Sequence, residues 1–212
     1  MNEQTVNNSV EVMGKIVSDF EFNHEVFGEG FYVVQVEIER LSGQCDTIPV
    51  LVSERLIDVK QDYKGQFISV YGQYRSFNKH DEAGNHRLIL SVFAREAEIV
   101  EEEPNGAYNN TIFLDGYICR EPVFRKTPLG REITDVSIAV NRAYGKSDYI
   151  PLVFWGRNAR HASTFAIGER IQVLGRVQSR EYNKKITEEQ IEKRIAYEVS
   201  VHRMVPVPVT EQ

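Results

Sequence analysis

In the second half of the chain, apolar and polar residues alternate with a period of two in separate short stretches. Residues 111–119 alternate, 132–141 do so again, and 148–155, 171–178 and 195–204 follow. A period of two over four to ten residues predicts strands with one face buried. Pro128-Leu129-Gly130 supplies a turn between the first two, and residues 142–147, with Gly145, supply the next. Residues 158–166 are helix-tolerant and fall between the third and fourth strands. Gly168 is placed to stop that helix, with Arg160 and His161 near its end. A polar segment, 183–193, separates the fourth strand from the fifth.

The same pattern occurs twice. Displaced by 102 residues, Gly14 falls on Gly116, Phe22 on Phe124, Arg40 on Arg142 and Arg55 on Arg157. Asp46-Thr47-Ile48-Pro49 falls on Asp148-Tyr149-Ile150-Pro151 and, after one inserted residue, the stretch from Gly65 falls on that from Gly168. A fixed offset sustained over a whole copy marks an internal repeat. Three strands, a short helix and two strands in about 95 residues is the element order of the OB-fold, a five-stranded, partly open barrel. The predicted class is therefore all-β: two tandem five-stranded OB-fold barrels, each with a short helix between strands 3 and 4. They are expected over residues 1–103 and 107–212, joined near Glu101-Glu102-Glu103-Pro104-Asn105-Gly106.

Charge divides the two copies. The formal net charge is −6, but residues 1–103 hold 4 Lys and 5 Arg against 19 acids, a balance of −10. Residues 104–212 hold 5 Lys and 11 Arg against 12 acids, a balance of +4. Such asymmetry points to a polyanion partner for the positive half. Other chemistry finds little footing. The five histidines are scattered, and no H-x-x-x-H, C-x-x-C or G-x-x-x-x-G-K-[ST] spacing occurs, so no enzyme, metal or cofactor is expected. Asp46 and Asp148 are assigned a structural turn role. Two cysteines, Cys45 and Cys119, suit a reducing compartment. With no apolar run near the roughly 20 residues a membrane helix needs, and no secretory pattern at the start, the expected location is the cytoplasm.

The positive half concentrates aromatics among cations. Tyr144, Tyr149, Trp155 and Tyr182 are interleaved with Arg142, Lys146, Arg157, Arg176 and Arg180. A single nucleic-acid strand offers phosphates to the charges and flat bases to the rings. The segments R-K-T-P-L-G from Arg125, A-V-N-R from Ala139, D-Y-I-P-L-V-F-W-G-R from Asp148 and G-R-V-Q-S-R-E-Y from Gly175 carry a specific likeness. Over roughly residues 109–204 the chain resembles the bacterial single-stranded DNA-binding protein family, in a tandem OB-fold variant.

The resemblance implies base stacking on Tyr144, Tyr149, Trp155 and Tyr182, with Phe124 a further candidate. Phosphate contacts are expected from Arg125, Lys126, Arg131, Arg142, Lys146, Arg157, Arg176, Arg180, Lys184 and Lys185, with Arg142 and Lys146 foremost. Tyr149 and Trp155 are expected to need a bulge or strand end before they can share a face. The first copy has Ser42, Thr47 and Ser53 at the positions of Tyr144, Tyr149 and Trp155, keeping only Phe77 and Tyr74 near the Tyr182 position, so its expected role is architectural. By analogy with the family's four-barrel assembly, a homodimer binding single-stranded DNA in replication, recombination or repair is expected. Partner enzymes are expected to use another route, because the sequence stops at V-P-V-P-V-T-E-Q without an acidic tip. The alternatives are an RNA-binding OB protein and a protein-assembly or primosome-type module with its aromatics buried.

Overall fold

The structure, a computed structural model, describes residues 6–80, 86–101, 109–185 and 191–207. The first copy contributes β1 (Asn8–Ile16), β2 (Glu21–Val26), β3 (Glu29–Glu39), β4 (Cys45–Ser53), β5 (Phe67–His80) and β6 (His86–Val100). The second contributes β7 (Asn110–Ile118), β8 (Val123–Lys126), β9 (Glu132–Asn141), β10 (Ser147–Trp155), helix α1 (Arg157–Ala162), β11 (Arg170–Lys185) and β12 (Ile191–Val207).

Each copy closes into a ring of five strands. In the first, β1, β3, β4, β6 and β5 pair in turn; β5 returns to β1, and β4 runs parallel to β6. The second repeats this with β7, β9, β10, β12 and β11, and β10 is parallel to β12. Alternation along the strands fills both interiors with Val, Ile and Leu; Ile48, Val50, Ile150 and Leu152 are wholly buried. The repeated glycines mark where strands cross closely. A Cβ on Gly116 would sit 2.7 Å from the Ala139 carbonyl oxygen, and one on Gly14 would collide with that of Glu37.

The all-β, OB-type class is what the structure has, with differences in detail. Each copy has a sixth strand, the short and fully exposed β2 or β8, which pairs only with its neighbour and stands outside the ring. Alternation cannot reveal a strand that buries neither face. A helix between the third and fourth ring strands is present only in the second copy, as α1. In the first copy residues 54–66 form turns instead. There Asp58 accepts the Lys60 N–H (3.1 Å) and Asp62 accepts the Lys64 N–H (2.9 Å), short-range bonds that compete with a helix. The described residues of the polar segment at 183–193 are strand, because β11 extends to Lys185 and β12 begins at Ile191. Most of the expected linker, residues 102–106, lies outside the described residues.

The two rings join through β1 and β7, antiparallel neighbours in one continuous sheet. Val10 lies opposite Ile112, its own counterpart in the repeat, while Ser9–Phe113 and Glu11–Thr111 flank that pair. A pseudo-two-fold axis therefore passes through Val10 and Ile112. Polar side chains repeat across it. Asn8 accepts the Tyr74 N–H (2.9 Å) and donates to the Tyr74 carbonyl (2.8 Å), and Asn110 does the same with Val177 at 2.9 and 2.7 Å.

Reciprocal aspartates lock the seam further out. Asp46, fully buried, is paired with Arg40 at 2.6 Å and accepts the backbone N–H of Ser179 from the other ring at 2.7 Å. Asp148, equally buried, is held by Arg142 at 2.7 and 2.5 Å and accepts the backbone N–H of Ser76 at 2.6 Å. Arg75 adds a second cation to Asp148, at 3.1 Å. The turn role expected for these two aspartates is thus an inter-ring one.

Candidate nucleic-acid interface

The outward face of β10 carries Tyr149 and Trp155 together. Its register with β9 runs without a break from Ser147 to Trp155, and Ile150, Leu152 and Phe154 are the residues turned inward. The bulge expected between the two rings is absent because six residues is an even step, which keeps both on one face. Tyr149 is 47% exposed and Trp155 38%. Trp155 is oriented by its indole N–H, which donates to Ser200 Oγ at 3.2 Å. The neighbour opposite Tyr149 is Ala139, which leaves that ring uncovered.

The other expected stacking residues are also at the surface. Tyr144 tops the turn between β9 and β10, fully exposed, at φ 62° in the left-handed region. A non-glycine residue held there costs of order 1 kcal/mol, strain that recurs at functional sites. Tyr182 is exposed on β11 with the Arg180 guanidinium 5.9 Å from its ring centre, and Phe124 is exposed on β8.

A groove of about 1040 Å³ runs beside Trp155. Of the expected cations it gathers Arg125, Arg131, Arg176 and Arg180; Lys126, Lys146 and Arg157 are exposed outside its lining. The lining acids are Glu181 and Glu198. Lys184 and Lys185 lie on β11, and their side chains fall outside the described residues. Arg125 is bidentate to Asp135 at 2.6 and 3.2 Å, which raises its pKa. Arg142 is differently placed. Its guanidinium grips Asp148 and donates to the Ser76 carbonyl at 2.9 Å, so one of the two foremost phosphate candidates is a strut of the seam.

The opposite rim of the groove belongs to the first copy, through Arg40, Ser42, Gln44, Cys45 and Thr47. Tyr149 also stands at the seam, since its backbone N–H donates to Ser76 Oγ at 2.8 Å. Sequence reasoning passed over Arg40, Gln44 and Gln178 as groove residues. The one available signal was that Arg40 and Asp46 repeat as Arg142 and Asp148. At the Trp155 position of the first copy, Ser53 is buried and donates to Glu29, while Glu54 accepts the Gly30 N–H at 2.9 Å. Where the second copy exposes its tryptophan, the first has these acids and a stacked Phe31–Phe93 pair 5.9 Å apart, with Phe31 opposite Ser53. The first copy does carry exposed aromatics elsewhere, on the hairpin of β2 and β3, where Phe22 packs edge-on to Tyr32 and Phe27 is fully exposed.

Two closed five-stranded rings define an OB-fold protein, and its second copy exposes aromatics beside a cluster of arginines. Residues 109–206 match the model of the Single-strand binding protein family. Over 84 residues the chain is 33% identical to "Single-stranded DNA-binding protein 2" of Streptococcus agalactiae, covering 36% of this chain and 63% of that one. Over 83 residues it is 28% identical to "Single-stranded DNA-binding protein B" of Bacillus subtilis, covering 36% of this chain and 74% of the other. With "Single-stranded DNA-binding protein 1" of Lactococcus lactis the identity is 31% and the match covers 55% of that protein. The chain thus spans between about half and three quarters of the length of these relatives. The fold of both copies together is that of the single-stranded DNA binding protein from Thermus aquaticus, with a TM-score of 0.71 at 22% identity over 97% of this chain and 95% of that one. No helix among the described residues is long and apolar enough to cross a membrane.

Proposed function

We propose that this chain binds single-stranded DNA without regard to sequence, chiefly on its second copy, and serves replication, recombination or repair from the cytoplasm. The observation that carries the reading is the shared outward face of Tyr149 and Trp155, exposed beside a groove lined with four arginines of the same copy. Each stacked base is worth about 1–3 kcal/mol, and the arginines add a salt-dependent attraction for phosphates. In this reading residues 107–212 form the binding half. Residues 1–103, with their −10 balance, serve mainly as scaffold. Two chains are proposed to associate, giving four rings. The family match and the names of the relatives support DNA over RNA, and no catalytic role is proposed.

Because Trp155 is the only tryptophan, its fluorescence tests the reading. Oligo-dT is expected to quench it at low salt, high salt to reverse the quench, and duplex DNA to do little. Emission indifferent to oligo-dT refutes the reading; equal response to oligo-U moves the substrate to RNA.

A further inference from the structure

The floor of the groove holds a cation that no described residue pairs. The Nε of Arg176 is buried and makes no hydrogen bond among the described residues, which also give its guanidinium no ion pair. Burial lowers the pKa of Arg176, and the charge of Arg40 lowers it further, with Asp46 acting the other way. A buried, unpaired donor is costly, so such a group marks a place where a ligand replaces lost solvation. Across the groove, Arg40 spends Nε and Nη2 on Asp46, with Nη2 also reaching the Ser179 carbonyl at 3.4 Å, but among the described residues its Nη1 donates only to the neutral oxygen of exposed Gln44, at 2.9 Å. An anion at this point would satisfy Arg176 and give Arg40 a charged acceptor in exchange for a neutral one, the stronger kind of bond.

We infer that the bound single strand crosses the seam, with one phosphodiester held between Arg176 of the second copy and Arg40 of the first, beside Trp155, Gln44 and Thr47. This rests on the proposed function and gives the acidic first copy a direct part in binding. The strand then leaves the Trp155 face over the turn between β3 and β4, a local polar rim on an otherwise anionic half.

The test is the dependence of oligo-dT affinity on salt, read from Trp155 quenching. For single strands each phosphate contact contributes about 0.7 to the slope of log K against log salt. Arg176→Gln is expected to reduce the slope by about 0.7 while Trp155 still quenches. Gln44→Glu, on an exposed turn and safe for folding, is expected to weaken binding and flatten the slope similarly, because its carboxylate would hold Arg40. Lys64→Gln removes a first-copy cation that pairs with Asp19 at 3.8 Å, away from the groove lining, and is expected to leave the slope alone. Unchanged slopes in both groove variants, with quenching intact, overturn the crossing and leave the proposed function standing. Equal losses in all three variants overturn it too, in favour of net charge alone. A wild-type protein that shows no quench overturns both.

Discussion

Removing the Asp148 carboxylate tests the seam. Asp148→Ala would leave Arg142 and Arg75 without their shared acceptor and the Ser76 N–H without a partner. Breaking a buried pair from one side costs about 3–5 kcal/mol when the remaining charge is sealed from water. Here the two arginine side chains are 28% and 25% exposed, which lets water recover part of that loss. The expected cost is therefore near the lower bound, about 3 kcal/mol. For a chain of this size 1 kcal/mol moves the melting midpoint by about 2–4 °C, so a drop of about 6–12 °C is expected in calorimetry. Asp46→Ala strands one arginine rather than two, since Gln178 stands where the other copy has Arg75, and should melt higher than Asp148→Ala. A midpoint within 2 °C of wild type for Asp148→Ala would refute the assignment of this carboxylate as an inter-ring lock.

Other consequences are as direct. Tyr149→Ala is expected to weaken oligo-dT binding by about 1–3 kcal/mol, roughly 5- to 150-fold, with little change in melting because the ring is half exposed; titration and a thermal scan check both halves. Tyr144→Gly relieves a left-handed residue, so it should melt slightly higher, by a gain of up to about 1 kcal/mol, yet bind more weakly; a variant that melts lower contradicts the strain. Gly116→Val, forcing a side chain against the Ala139 carbonyl, is expected to cost at least about 1–3 kcal/mol in denaturant unfolding. Asp115 has its pKa lowered, first by hydrogen bonds from Arg170 at 2.9 and 2.7 Å. Its contribution is full above the ordinary carboxylate range and is lost as pH falls through the lowered value. Asp115→Asn should therefore flatten the acid side of the stability profile and leave the shape above about pH 5 unchanged.

The ring strands were legible because each buries one face, so that Ile150, Leu152 and Phe154 alternate with Tyr149, Pro151, Val153 and Trp155. The repeat was legible because the close crossings at Gly14 and Gly116 admit no side chain in either copy. The exposed strands β2 and β8 left no such trace. The seam was also hidden in its chemistry. Ser76 and Ser179 read as ordinary polar strand residues, and only their partners across the axis give them a role. For the same reason Arg142 looked free. Its nearest cue, the buried Asp148 six residues on, is indistinguishable in sequence from a surface turn acid.

The strand-to-strand joint between β1 and β7 has a consequence for how the two halves can diverge. In an assembly of separate identical rings, partnership is lost on dilution, and any residue that spoils DNA contact spoils every ring at once. Carried on one polypeptide, each ring meets its mate at a millimolar effective concentration whatever the cellular dose. One half is then free to accumulate carboxylates such as Glu29 and Glu54 while the other keeps its rings and arginines. The division of labour is inherited with the chain and is never left to chance encounter.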